Sequence, residues 1–214
     1  MSKEKKLNKL SYAIGMSLGQ SMVGSGIESD VLEFEDFLQG VKDIYSGADP
    51  KISPEEGNQL LKTYFDKVHK NAEEMMKQER EFNLKKAQDY LKENKDKPGV
   101  KVTDSGLQYK VLQEGGIMQW PTVHSRVRVH YEGRLTDGEV FDSSYQRNKP
   151  AEFNLDQVIP GWTEGLCLMK PGSKYEFTIP PALGYGEVGI PGHIPGNSVL
   201  IFTVELLDIL PATI

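Results

Sequence analysis

The chain has 214 residues, 38% of them apolar and 26% charged, with a net charge of −6 and a sequence pI of about 5.3. This size and apolar content suffice for a buried core, while the acid excess and the lack of a basic stripe argue against nucleic acid as a partner. Cys167 is the single cysteine, which excludes an intrachain disulfide, and no run reaches the roughly 20 apolar residues of a membrane span. Lys5 and Lys6 read as part of a solvated helix face. Residues 1–18 lack the continuous apolar core of a secretory signal, so the expected location is cytoplasmic, or periplasmic if a leader has been removed.

Leu7, Leu10, Ile14 and Leu18 share one face and predict a first helix over residues 7–23. Gly15 and Gly19 lie four apart within it. Each costs about 1 kcal/mol against alanine in a helix, so their placement predicts close approach of another backbone. A second helix is expected from Asp30, which would cap it with Glu33 completing a capping box. Phe34, Phe37, Leu38, Val41, Ile44 and Tyr45 give it an apolar stripe. The third helix has the clearest start, with Ser53 as cap, Pro54 at the first helical position and Glu56 in the box position. Leu61, Phe65, Val68, Ala72 and Met75 make a heptad seam, widened by Leu60 and Tyr64. Beyond Met76 the pattern thins to polar residues. A helix continuing to about Asn94 would be on the order of 60 Å long, an exposed rod joining packed ends. So few helices bury too little surface for a monomeric core. The stripes therefore predict a homodimer through this half, the alternative being helices folded back on the rest of the chain.

Pro50 and Pro54 are the only prolines before Pro98, and both Trp120 and Trp162 follow it. That shift separates a helical half from a turn-rich β half and divides the chain into a helical dimerisation region (1–52), a long connecting helix (53–97) and a small β domain (98–214). Residues 106–111, 126–131 and 174–179 alternate with period two, and 199–207 is the longest strand, with Leu200, Phe202, Val204 and Leu206 on one face. Asp137-Gly138 signals a hairpin. Between Ile159 and Lys170 the spacing of Trp162, Leu166 and Met169 turns helical. The fold class is α+β, an antiparallel sheet wrapped on one short helix. Residues 182–196 are too rich in glycine and proline for regular structure yet carry Tyr185 and Ile194, as in loops that border binding sites.

Residues 129–162 concentrate aromatic and branched side chains around one carboxylate, Asp142. His69, His124, His130 and His193 are scattered, and no nucleophile-elbow signature accompanies them. His124 and His130 lack a third ligand at useful spacing. Asp137 and Glu139 sit at a turn, where solvated acids are the default, which disfavours a glycosidase pair. The glycines near Tyr185 do not lead into a capped helix, so a phosphate cradle is unsupported. No metal or cofactor is expected. An apolar cup can nevertheless accelerate rotation about an X–Pro bond, whose barrier is about 18–20 kcal/mol because resonance must be broken. Binding the twisted amide more tightly than the planar one is sufficient.

Tyr131, Phe141-Asp142-Ser143-Ser144, Val158-Ile159-Pro160-Gly161-Trp162, Ala182-Leu183-Gly184-Tyr185-Gly186 and Phe202-Thr203-Val204-Glu205-Leu206-Leu207 together resemble the FKBP-type peptidyl-prolyl isomerases, over about residues 105–210. The helical half is similar to the N-terminal region of the macrophage infectivity potentiator subfamily. The resemblance implies a bent antiparallel sheet clasping a short helix, with the prolyl ring resting on Trp162. Tyr131, Phe141, Phe153, Val158, Ile159 and Phe202 would form the walls, and Ile194 would join them from the loop. The Ile159 N–H and the Tyr185 hydroxyl would bind ligand carbonyls. Asp142, Tyr185 and Phe202 are the expected catalytic residues, with Asp142, held by neighbouring hydroxyls, serving as an electrostatic aid. Implied partners are proline-containing peptides, unfolded proteins and tacrolimus- or rapamycin-type macrolides. Ala151 replaces an aromatic common in the family, which predicts a more open wall. Ile190 stands where some relatives carry a histidine, and His193 where an apolar residue is common. A non-catalytic chaperone or adaptor using the same cup is the alternative. A fragment starting near Pro98 is expected to keep peptide isomerisation.

Overall fold

The computed structural model describes residues 7–211, so Lys5 and Lys6 lie outside the described residues. Contacts divide the chain into two compact units, one ending at Glu74 and one starting at Met75.

In the first unit, helix α1 spans Lys9–Gly24 and starts after Asn8, whose Oδ1 accepts the Ser11 N–H at 3.1 Å. Apart from the helix's own backbone and the adjoining residues, no heavy atom lies within 4 Å of where a Cβ would stand at Gly15 or Gly19, so the close approach expected there is not made within the described chain. Helix α2 spans Phe34–Ser46 rather than starting at Asp30. Ser29–Val31 form one 3-10 turn, and Leu32 and Glu33 are extended, which leaves Asp30 no helix to cap. Gly47, at φ 68°, closes α2 in the left-handed conformation typical of helix ends. Helix α3 runs unbroken over Pro54–Asn94, and Ser53 Oγ accepts the Glu56 N–H at 3.1 Å as the cap pattern predicts. The Tyr64 hydroxyl accepts the Glu28 N–H at 3.2 Å and donates to the Gly26 carbonyl at 3.1 Å, tying the α1–α2 connection to α3. Residues 71–82 are all exposed.

The second unit is built on seven strands: β1 (Val100–Val102), β2 (Gln108–Gln113), β3 (Arg126–Arg134), β4 (Val140–Ser143), β5 (Ala151–Asn154), β6 (Lys174–Ile179) and β7 (Leu200–Leu210). All pairings are antiparallel, in the order β1-β2-β6-β7-β3-β4, with β5 also on β3. The predicted strands are present, whereas β1 and β5, of three and four residues, are too short to show a period. Helix α4 spans Pro160–Cys167 and buries Trp162 and Leu166. Alternation along β3 buries Val127, Val129 and Tyr131, and along β7 it buries Leu200, Phe202, Val204 and Leu206. These residues, with Trp162, Leu166, Met169 and Phe177, form one core.

The last turns of α3 belong to this unit's packing. Ala87 and Asn94 are buried. Asn94 donates its side-chain amide to Gln108 Oε1 at 2.9 Å and to Thr178 Oγ1 at 3.3 Å. Gln108 in turn donates to the Leu91 carbonyl at 2.8 Å. Buried amides need such partners, and the helix end supplies them. Among the described residues no helix is long and apolar enough to cross a membrane.

Candidate active site

The far edge of β3 is shared: Arg126–Val129 pair with β5, and Glu132–Arg134 pair with β4. Between them Ser144, fully buried, takes the place of a strand. Its Oγ accepts the Tyr131 N–H at 2.8 Å, and its own N–H donates to the Tyr131 carbonyl at 2.9 Å. This satisfies the main-chain groups that the two short strands leave open, and it fixes Tyr131 next to Asp142.

Gly133 on β3 lies opposite both Asp142 and Phe202. A Cβ there would come within 2.6 Å of the Phe202 ring and 2.7 Å of the Phe141 ring, so the two aromatics close over bare backbone. Pro160 opens α4 and turns Trp162 into the core. Trp162 is the hub of the aromatic cluster. Its ring meets Tyr131 at 5.1 Å, Phe153 at 5.3 Å and Phe202 at 5.1 Å, all edge to face, the arrangement favoured by ring quadrupoles.

These residues enclose a cavity of about 510 Å³, within the range of small-molecule sites. All ten predicted site residues line it: Tyr131, Phe141, Asp142, Phe153, Val158, Ile159, Trp162, Tyr185, Ile194 and Phe202. Gln157, Ile190 and His193 line it as well. Ile190 and His193 stood out in the sequence only as substitutions, and Gln157 carried no periodic signal. Ala151 sits on β5, two residues before Phe153, and is not part of the lining. Trp162 is 4% exposed, and its indole N–H has no acceptor among the described residues.

The one acid is held by more than the expected hydroxyls. Tyr131 donates its hydroxyl to Asp142 Oδ2 at 2.5 Å. Arg147 pairs with Asp142 Oδ1 and donates its other amino group to the Tyr131 oxygen at 2.8 Å. Arg147 was not legible as a partner, because it follows Asp142 by five residues through an irregular turn. Burial pushes the Asp142 carboxyl up, but the Arg147 and Tyr131 hydrogen bonds, the Arg147 charge and the Ser143 N–H together hold it below the ordinary aspartate value. Burial first, and then the hydrogen bond to Asp142, push the Tyr131 phenol up to about 12, which keeps it a donor. The Tyr185 phenol is also raised, by burial and by the nearby Asp142 charge. Among the described residues the Tyr185 hydroxyl and the Ile159 N–H have no hydrogen-bond partner, so both are available to ligand carbonyls.

The family profile described as FKBP-type peptidyl-prolyl cis-trans isomerase matches residues 119–207. That of the domain amino terminal to this isomerase matches residues 7–111. The FKBP-type 22 kDa peptidyl-prolyl cis-trans isomerase of Escherichia coli strain K12 is 43% identical, the alignment covering 94% of each chain. Peptidyl-prolyl cis-trans isomerase Mip of Coxiella burnetii is also 43% identical, over 94% of this chain and 86% of its own. The crystal structure of FkpA from Escherichia coli superposes with a TM-score of 0.78 at 38% identity, covering 99% of this chain and all of that one. The chain belongs to the FKBP-type peptidyl-prolyl cis-trans isomerase family and is a prolyl isomerase that assists protein folding.

Proposed function

We propose that the aromatic cup accelerates X–Pro rotation by desolvating the amide and binding its twisted form, with Asp142, Tyr185 and Phe202 as catalytic residues. The observation that carries this is the single carboxylate, Asp142, in the lining of a largely apolar, aromatic cavity. A planar amide is polarised by resonance and favoured by water, whereas the twisted amide has lost that polarisation, so an apolar surround stabilises it selectively. In this reading the prolyl ring rests on Trp162 between Tyr131, Phe141, Phe153, Val158 and Phe202. The Tyr185 hydroxyl and the Ile159 N–H bind the flanking carbonyls. Asp142 stays ionised and sets the field at the rotating bond without transferring a proton.

A proline-peptide cis/trans assay at micromolar protein tests this, and its pH profile tests the role of the acid. Asp142 is depressed in the fold, so any stability or activity that depends on its charge is present above the ordinary aspartate range and is lost only as pH falls through the lower folded value. Arg147→Ala removes the strongest lowering influences while burial remains. The acid limb of kcat/KM should then move to higher pH, with neutral-pH activity reduced severalfold. An unmoved acid limb would separate Asp142 from the reaction.

We further propose that residues 1–52 form a homodimer interface, that 53–97 connect it, and that 98–214 carry the isomerase. Support comes from α1 and α2, which bury no residue in the single chain. Leu10 is 72% exposed, and Phe34 and Leu38 are each 61% exposed. Patches of this kind mark interfaces. Sedimentation should give about twice the 24.0 kDa chain mass, and Leu10→Glu with Leu18→Glu should shift the protein to monomer. Two linked cups would raise the effective affinity for chains with several prolines. Tacrolimus-type macrolides should compete for the same cavity.

A further inference from the structure

The loop between β6 and β7 contributes Tyr185, Ile190, His193 and Ile194 to the cup, and its own hydrogen bonds close it into a tight body. Ile190 and Ile194 exchange both main-chain hydrogen bonds at 2.8 Å, and the Gly189 N–H donates to the Tyr185 carbonyl at 3.1 Å. At the base, the Asn197 N–H donates to the Gly186 carbonyl at 2.9 Å. Gly196 packs its bare backbone so close to the Glu187 carbonyl that a Cβ would stand 2.1 Å away. Asn197 is 6% exposed and left-handed at φ 59°, a conformation asparagine tolerates better than most residues.

The outside of this body is fastened to α3 by two reciprocal amide contacts. Asn83 donates its side-chain amide to the Gly196 carbonyl at 3.1 Å, and Asn197 donates its amide to the Arg80 carbonyl at 3.0 Å. Residues 80 and 83 are three apart and so share one helix face. The loop is coherent internally and tied to its strands at its base, so these contacts set its tilt over the cavity.

We propose that Asn83 is a positioning residue for the isomerase reaction, acting through the Gly196 carbonyl to hold the loop wall of the cup against α3. This makes the end of α3 part of the catalytic unit and gives the helix a direct mechanical connection to substrate binding. The proposal rests on the assignment of the cup as the substrate site. On that assignment Tyr185 and the two isoleucines form one wall around the twisting amide, and a wall free to tilt loses that pre-organisation.

The experiment uses the full chain with Asn83→Ala, Asn83→Gln and Asn83→Asp, read by peptide isomerisation, hydrogen exchange and melting. Asn83→Ala should lower kcat/KM about fivefold, the worth of one neutral hydrogen bond expressed in the transition state. It should also speed exchange at the Gly189, Ile190 and Ile194 amides while β3 and β7 stay protected. Asn83→Gln, which keeps a donor, should recover part of both effects. Asn83→Asp should be the most impaired near neutrality, since an oxygen then faces a carbonyl, and should recover as acid protonates the introduced carboxylate. Unchanged activity and unchanged loop exchange in Asn83→Ala would overturn the proposal. A loss of activity accompanied by uniformly faster exchange across the sheet would overturn it too, because that is destabilisation and not positioning. Loop exchange is read without any assay, so a failure of the cup assignment, seen as full activity in Phe202→Ala, is distinguishable from a failure of the clasp.

Discussion

Replacing Phe202 by alanine is expected to lower kcat/KM for X–Pro isomerisation roughly 100-fold, or about 2.7 kcal/mol of transition-state stabilisation. Phe202 is 4% exposed, and its ring meets Trp162 at 5.1 Å and Phe141 at 5.4 Å. Its removal opens the cup between the floor and one wall. Water then reaches the amide and stabilises the planar, polarised form, which is the opposite of what the reaction needs. The same deletion costs stability, about 3–5 kcal/mol for a buried phenylalanine, so near-ultraviolet circular dichroism must establish the folded fraction. Phe202→Leu keeps an apolar wall and a smaller void, and should lose activity about tenfold while remaining folded. Activity of folded Phe202→Ala within about threefold of the unmodified protein would place the reaction elsewhere.

A fragment beginning at Lys97 should be markedly less stable than one beginning at Met75, by about 3 kcal/mol, or roughly 10 °C in melting temperature. The polypeptide between them carries the buried Ala87 and Asn94 and the partners of Gln108 and Thr178. The shorter fragment loses Ala87, only 4% exposed in the intact chain, and each 100 Å² of apolar surface returned to water costs about 2.5 kcal/mol. The composition shift near Pro98 points to a boundary there, and hence to a fragment with intact activity. The hydrogen bonds of Arg80, Asn83, Leu91 and Asn94 to the β unit predict that a fragment starting upstream of Arg80 is the more stable one. Calorimetry of the two fragments, with peptide isomerisation measured below both melting transitions, checks this. Equal stability would mean that the end of α3 is dispensable to the sheet.

Much of the cup is legible in the residues, because its members belong to the short ordered motifs that carry the family resemblance. Val127, Val129 and Tyr131 announce β3 by alternation, Ser53-Pro54 announces α3 by its cap, and Asp137-Gly138 announces the hairpin that returns Phe141 and Asp142 to β3. Asp30 shows where local reasoning fails. Its capping box is a sound pattern, but extended Leu32 and Glu33 move the helix start to Phe34. Arg147, Gln157 and the strand β5 were not legible, because turns and four-residue strands have too few positions to express a period.

The residues alone carry the helical and β halves and the alternation that turns the aromatics inward, while the ordered motifs that resemble the isomerase family point to the ten residues that line the cup. Periodicity and capping are properties of neighbours along the chain. The hold of Arg147 on Asp142, the filling of the gap beside β3 by Ser144 and the fastening of a loop more than 100 positions downstream to α3 are visible only in the folded chain. Those contacts exist because main-chain groups left out of the ladders must find partners once buried. Which partner is within reach depends on the folded arrangement, not on distance in sequence.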